Sequence, residues 1–175
     1  SSGLRSLPSA GAGLMLSRTQ PRSADKPGAT LPEIQHPIVD AYLANLPAGV
    51  APRIMASRSL FVADSRAEAL GQAERGLNHV LERFIASGHR IEDRSLSGLI
   101  RTLDTHVGAP EDVIASLAED SILPRATDVV FQVHSVDPPA PLVLRSIELT
   151  AEIVAPALGW RNKPAAPPVR LAANA

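Results

Sequence analysis

The spacing of apolar residues along the chain changes between that of a strand and that of a helix. This pattern predicts strands that alternate with helices. A short apolar run at residues 13–16 that ends in polar residues predicts a first strand, and a helical stripe follows over about 32–46. Residues 58–63, with an extended lead-in, predict a second strand. Thr30 and Ser65 each precede a helical stripe and are followed three positions later by Glu, the pattern of a capping box. The helix after Ser65 has the clearest stripe in the chain.

The second half of the chain continues this alternation. A short amphipathic piece lies at 96–103, a helix begins at Pro110, and residues 128–134 predict a third strand. Its unbroken β-branched and aromatic run is typical of a strand buried on both faces. The last helix is predicted at about 141–157, with an apolar line made of Val143, Ile147, Ala151, Val154 and Leu158. Arg145 and Glu148 lie off that line with the spacing of an i,i+3 ion pair.

The order of elements predicts an α/β fold with parallel strands, because strands separated by helices pair in parallel through right-handed crossovers. The length of 175 residues and the 45% hydrophobic content suit one domain. Residues 1–10 form an irregular N-terminal segment in this interpretation, residues 11–159 the domain, and residues 160–175 a disordered tail rich in Pro and Ala.

Charge and cysteine content exclude several classes of function. Seventeen basic and 18 acidic residues leave a net charge of -1 with no long run of either sign, so nothing favours nucleic acid or an anionic membrane. The absence of Cys excludes disulfides and a Cys-ligated zinc site. No apolar stretch approaches the roughly 18 residues of a membrane span, and the N-terminus lacks a leader pattern. A cytoplasmic protein is therefore expected.

Several segments resemble one known family. GLMLSR, PEIQ…IVDAYL, PRI..SR..FVAD…EA, VGAPEDV and FQVHS…SIEL.AE.VAP.L follow one another between Gly11 and Trp160. In this order and spacing they resemble the C-terminal half of bacterial luciferase-like, flavin-dependent monooxygenases. The resemblance implies a (β/α)8 TIM barrel that binds reduced FMN, or in some members a deazaflavin, at the carboxyl ends of its strands. There the flavin reacts with molecular oxygen and a small organic substrate is oxidised.

A complete barrel needs about 250 residues, and this chain has about three recognisable strands, which resemble the last three. The expected fold is therefore a partial (β/α)8 TIM barrel, with about three parallel strands, flanking helices and an incomplete barrel. The family's catalytic groups lie largely on earlier strands, so the resemblance implies no catalytic residue in this chain.

Two groups of polar residues follow predicted strands. Ser17, Arg18 and Thr19 follow the first strand, where barrel enzymes place their sites, and their hydroxyls and guanidinium suit a phosphate or an isoalloxazine carbonyl. They are the predicted cofactor-binding residues; the alternative is a structural salt bridge of Arg18. Gln132 and His134 are two apart in the third strand, so they share a face and are the substrate-side candidates. The alternative for His134 is a bond to a neighbouring loop.

Other polar residues carry no predicted chemistry. The remaining histidines have no spacing typical of metal ligands, so no metal site is predicted; they are His36, His79, His89 and His106. The stretch Ser57-Arg58-Ser59 lies at the N-terminal end of the predicted second strand, at the face that serves stability in a barrel, and is interpreted as structural.

The expected function is the C-terminal portion of a flavin-dependent monooxygenase that oxidises an organic substrate with molecular oxygen and reduced flavin. The alternative is a non-catalytic truncated barrel that binds flavin or completes its sheet with another protein, since three parallel strands leave two edges unpaired. A homodimer and a flavin reductase partner both remain open.

Overall fold

The computed structural model describes residues 12–20, 22–86 and 91–160. The predicted N-terminal segment, 1–10, lies outside the described residues, as does all of the predicted tail except Trp160. The strands are β1 (Leu14–Leu16), β2 (Ile54–Val62), β3 (Thr105–Gly108) and β4 (Asp128–Gln132). The helices are α1 (Leu31–Ala44), α2 (Arg66–Ala86), α3 (Leu96–Thr102), α4 (Pro110–Ala118) and α5 (Ala140–Leu149), which continues through a π-helical turn at Thr150–Val154 into Ala155–Ala157.

Strand β2 is the centre of the sheet and pairs in parallel with the other three described strands. β1 pairs with the first residues of β2, from Ile54, and β3 pairs with the last four residues of β2, Ser59 to Val62. β4 runs along the middle, with Met55 opposite Asp128 and Ser59 opposite Gln132. The α/β class and the parallel pairing are confirmed, and the described strands form an open sheet of four rather than a closed barrel.

β3 is the strand that the sequence did not reveal, so the expectation of three strands is wrong. Its four residues lie between α3 and the start of α4 at Pro110, too short a stretch to display a period of two. Asp104, with φ of 46°, turns the chain directly before β3. The backbone N–H of Ala63 then donates to the carbonyl of Gly108, extending the contact with β2. Pairing between segments distant in sequence, rather than a local signal, makes this segment a strand.

Side chains of β2 alternate between two separate cores. One face carries Ile54, Ala56, Leu60 and Val62, which pack with buried residues of α1, α4 and the C-terminal helix. The opposite face carries Phe61 and Ala63, which pack against α2 and α3. Helices on both faces protect the carboxyl half of the sheet from solvent, as parallel sheets require.

The amino half of the second face is not covered by any described element. Met15 of β1 is 73% exposed and Val130 of β4 is 44% exposed, and Met55 between them is also exposed. The prediction that the strand at 128–134 is buried on both faces is therefore wrong. α2 and α3 cover only the carboxyl end of this face.

The last helix buries only part of the predicted apolar line, since Val154 is buried and Leu158 packs against the core whereas Ile147 is not buried. Ser146, Leu149, Thr150 and Val154 are buried, whereas Ile147 is 47% exposed. Ser146 is buried because its Oγ accepts a hydrogen bond of 2.9 Å from the N–H of Val62 at the end of β2. Ile147 lies before the π-helical turn, whereas Val154 at the end of that turn is buried as the predicted apolar line requires.

The predicted Arg145–Glu148 ion pair is confirmed at 3.1 Å, and Arg145 also pairs with Asp64. None of the described helices combines the length and apolar character that a membrane crossing needs.

Candidate functional site

A pocket of about 320 Å³ lies beside the carboxyl ends of β1 and β4, between the sheet and α2. Its volume is at the small end of the range of small-molecule sites. One wall is polar and comes from the sheet and its loops, with Arg18, Ser59, Thr105, Gln132 and His134. The opposite wall comes from α2 and from the residue after α3. Its apolar part is made of Leu77, Val80, Phe84 and Leu103, and His79 and Arg83 of α2 also line the pocket.

Arg18 lies in the polar wall, two residues after β1. It is partly buried, and burial lowers the pKa of its guanidinium. Its Nη1 donates to Oγ of Ser59 at 3.1 Å. Within the described part of the chain it forms no ion pair with a carboxylate. The structural ion pair of this loop is made instead by Arg22 with Asp104.

Ser17 and Thr19 do not line the pocket. Their hydroxyl oxygens lie 3.3 Å apart, and the N–H of Thr19 donates to Oγ of Ser17 at 3.2 Å, so both hydroxyls are exposed and close the turn after β1. The carbonyl of Ser17 accepts a bond of 2.9 Å from Nε2 of Gln35 on α1. The three predicted cofactor residues are thus divided between the pocket and its rim, and their cofactor role stays a prediction.

Gln132 and His134 both line the pocket and lie 2.8 Å apart, measured between Nε2 of each side chain. An amide nitrogen can only donate, so Nε2 of His134 accepts the bond in this arrangement and the imidazole proton belongs to Nδ1. Gln132 is paired with Ser59 in the sheet register. Ser59, which bonds to Arg18, therefore joins the two groups of candidates that the sequence singled out far apart along the chain.

Ser59 was not predicted as a pocket residue, because the sequence placed it at the N-terminal end of the second strand. The strand begins at Ile54, so Ser59 lies in its second half. Its neighbour Arg58 points to the opposite face, where it is fully buried. The structural interpretation holds for Arg58 but not for Ser59.

Arg58 anchors a buried polar network beneath the sheet. Its guanidinium pairs with the carboxylate of Asp120, and its Nη2 donates to Oε1 of Gln35 at 3.0 Å. Because Gln35 also donates to the carbonyl of Ser17, the network reaches the turn that carries Arg18. Because its polar groups are hydrogen-bonded to one another, this network holds α1, β2 and the segment after α4 in fixed positions relative to one another.

α2, which carries most of the apolar wall, approaches the turn after β4 very closely. A Cβ on Gly76 would lie 1.7 Å from the carbonyl oxygen of Val136, so only glycine fits there. Nε2 of Gln72 donates to the carbonyls of Val136 and Asp137 at 3.2 and 3.1 Å. The sequence contained one signal of this packing, a glycine in the middle of an otherwise regular helix.

His106 lies next to the pocket residue Thr105 but outside the pocket lining. Its Nδ1 is 2.8 Å from Oγ of Ser116, and burial lowers its pKa to about 4. The imidazole is therefore neutral at pH 7. Among the described residues no group of His, Asp and Glu side chains is placed to hold a metal ion.

No protein-family model matches the chain, and no curated protein sequence matches it. The chain is similar to the solved structure of monooxygenase RslO1 from Streptomyces bottropensis, with 24% identity and a TM-score of 0.50 over 83% of this chain and 42% of that one. It is also similar to the structure of apo-MsnO8, with 20% identity and a TM-score of 0.46 over 76% of this chain and 43% of that one. The likeness to RslO1 concerns the fold. The chain spans less than half the length of either structure.

Proposed function

We propose that the chain is the C-terminal portion of a luciferase-like, flavin-dependent monooxygenase, and that its pocket forms part of the flavin and substrate site. The observation that carries this proposal is the convergence of Arg18, Ser59 and Gln132 in one pocket beside the carboxyl ends of parallel strands. Sites of α/β proteins with parallel sheets lie at that end. The fold likeness to RslO1 and the order of the sequence segments support the same interpretation.

The chemistry of the two walls suits a reduced flavin such as FMN. Arg18, Ser59 and Gln132 offer donors, which match the carbonyls, ring nitrogens and phosphate of a flavin. The apolar wall on α2, with Leu77 and Phe84, suits the faces of a planar ring and keeps water away from it. When bound, the flavin supplies the reaction with molecular oxygen.

The chain's own residues bind and orient in this proposal. Arg18 donates charge-assisted hydrogen bonds to the flavin, and Ser17 and Thr19 offer hydroxyls at the rim of the pocket. Gln132 and His134 face the organic substrate, to which His134 offers Nδ1–H as a donor while Gln132 fixes its tautomer. No described residue is assigned as a general acid or base.

The experiment is a titration of the purified chain into FMN, followed by flavin fluorescence, and then the mixing of chemically reduced FMN plus protein with oxygenated buffer. We expect saturable quenching and an altered rate of flavin reoxidation. Arg66→Met is the matched control for Arg18→Met, because Arg66 is 70% exposed and pairs with Asp112 outside the pocket. Absence of quenching with wild type at every concentration tested removes the flavin from the proposal.

A non-catalytic module is the second candidate, and the uncovered sheet face favours it. Met15, Met55 and Val130 expose apolar surface on adjacent strands, which is unusual for a completed fold. This candidate predicts flavin binding without an effect on reoxidation, or a discrete dimer in gel filtration without flavin binding. A flavin reductase or a second copy of the chain remains a proposed partner.

A further inference from the structure

Arg18 differs from most arginines of the described chain in what its guanidinium faces. Among the described residues, its guanidinium donates one hydrogen bond, from Nη1 to the neutral hydroxyl of Ser59. A carboxylate partner is present for each of Arg22, Arg58, Arg66, Arg101, Arg125 and Arg145. A partly buried cation loses solvation and is stabilised by a nearby anion, so the missing countercharge at Arg18 favours an anionic ligand.

Besides Arg18, the described lining holds one arginine, two histidines and one acidic residue. His79 and Arg83 lie one turn apart on α2, and both contribute to the pocket. Asp137 is the acidic residue of the described lining, and it lies on the exposed turn after β4. Among the described residues, Asp137 forms no ion pair with Arg18.

The bond to Ser59 leaves most of the guanidinium free to bind a ligand. An arginine has five N–H donors, of which Nη1 uses one here. Ser59 is itself buried and fixed in the sheet between β3 and β4 register partners. The guanidinium is therefore held at one point, and its remaining fork has the geometry that binds two oxygens of one group.

We infer that the pocket binds its ligand through an oxyanion group, a phosphate or a carboxylate, that accepts hydrogen bonds from Arg18 while Ser59 positions the guanidinium. This inference rests on the proposed function in one respect, that the pocket is the ligand site. The oxyanion has two sources in that function, the phosphate of the flavin and an acidic group on the organic substrate.

Isothermal titration with FMN, riboflavin and inorganic phosphate distinguishes these sources. If the flavin phosphate lies at Arg18, FMN binds wild type about 10- to 100-fold more tightly than riboflavin, and Arg18→Met abolishes that difference. If an acidic substrate group lies there, FMN and riboflavin bind alike, inorganic phosphate still binds the flavin-loaded protein, and Arg18→Met abolishes phosphate binding. Both results support the inference.

The inference is overturned if Arg18→Met leaves the affinities for FMN and for inorganic phosphate within about twofold of wild type, a change below that of one charged hydrogen bond. Failure of the proposed function looks different, since neither flavin then binds while phosphate binding still depends on Arg18. Arg66→Met is the matched control and keeps all affinities.

Two further variants keep the test valid if Arg18→Met loses its fold. Arg18→Lys keeps the charge but not the planar fork. We therefore expect it to bind phosphate more weakly than wild type does, but still detectably. Ser59→Ala frees the guanidinium from its anchor, so we expect weaker phosphate binding than in wild type. Wild-type phosphate affinity in both folded variants also contradicts the inference.

Discussion

Acidification should destabilise this protein through His106. The ring is partly buried on β3, and its pKa falls from 6.5 to about 4 because burial disfavours the charged form. Above pH 6.5 the imidazole is neutral in both the folded and the unfolded chain and contributes no pH dependence. As the pH falls through 6.5 the unfolded chain binds a proton that the folded chain does not, so the free energy of unfolding decreases until the folded ring also protonates near pH 4.

The magnitude follows from the difference between the two pKa values. At about 1.4 kcal/mol per pH unit, the loss by pH 4.5 is about 2 to 3 kcal/mol, which is a large part of the stability of a small domain. Asp104 acts in the opposite direction, because burial raises the pKa of its carboxyl despite the ion pair with Arg22. Its contribution increases stability as the pH falls through the raised pKa toward 3.8.

The assay is urea unfolding of wild type and His106→Asn at pH 7 and pH 4.5, since Asn retains a polar atom near the position of Nδ1 that bonds to Ser116. We expect wild type to lose about 2 to 3 kcal/mol more than the variant over this range. Asp104→Asn in each background separates the opposing contribution. Parallel losses in wild type and His106→Asn, or a midpoint near 6.5 for the His106 ring in an NMR titration, refute the reasoning.

Two other substitutions test the packing that shapes the pocket. Gly76→Ala places a Cβ 1.7 Å from a carbonyl of the turn after β4, so we expect a loss of about 2 to 4 kcal/mol in urea unfolding, whereas Gly71→Ala, which meets only a side-chain end at 3.7 Å, should be neutral or slightly stabilising. Equal stabilities of Gly76→Ala and Gly71→Ala would contradict the close packing of α2 against this turn. Asp120→Asn leaves Arg58 buried without a countercharge and should cost about 3 to 5 kcal/mol, whereas Asp64→Asn removes a carboxylate from an exposed pair and should cost much less. Similar losses for both would contradict a structural role of the buried pair.

Part of the candidate site was predictable from sequence because parallel strands end at a common edge. Arg18, Gln132 and His134 each follow or end a predicted strand, and the structure brings all three into one pocket. The place of Ser59 in the pocket was not predictable, because the strand that carries Ser59 begins several residues before the apolar run that reveals this strand in the sequence. The apolar wall on α2 was equally inaccessible, because the sequence defines the stripe of a helix but not the face of the sheet that it covers.

Local chemistry by itself determined the elements whose signals are complete within a few residues. The capping box at Thr30 is present, with Glu33 accepting the N–H of Thr30 at 2.7 Å and Thr30 accepting the N–H of Glu33 at 3.4 Å. The helices α1 and α2 and the three predicted strands lie within a few residues of their predicted bounds, because hydrophobic period and capping act over one or two turns.

Tertiary structure decided the features that depend on distant partners. β3 is a strand because β2 pairs with it, Ser146 is buried because its hydroxyl accepts the N–H of Val62, and the amino half of one sheet face is exposed because no described element covers it. Burial and hydrogen bonding between segments far apart in sequence outweigh local preference at such places, and no local pattern encodes which segments will meet.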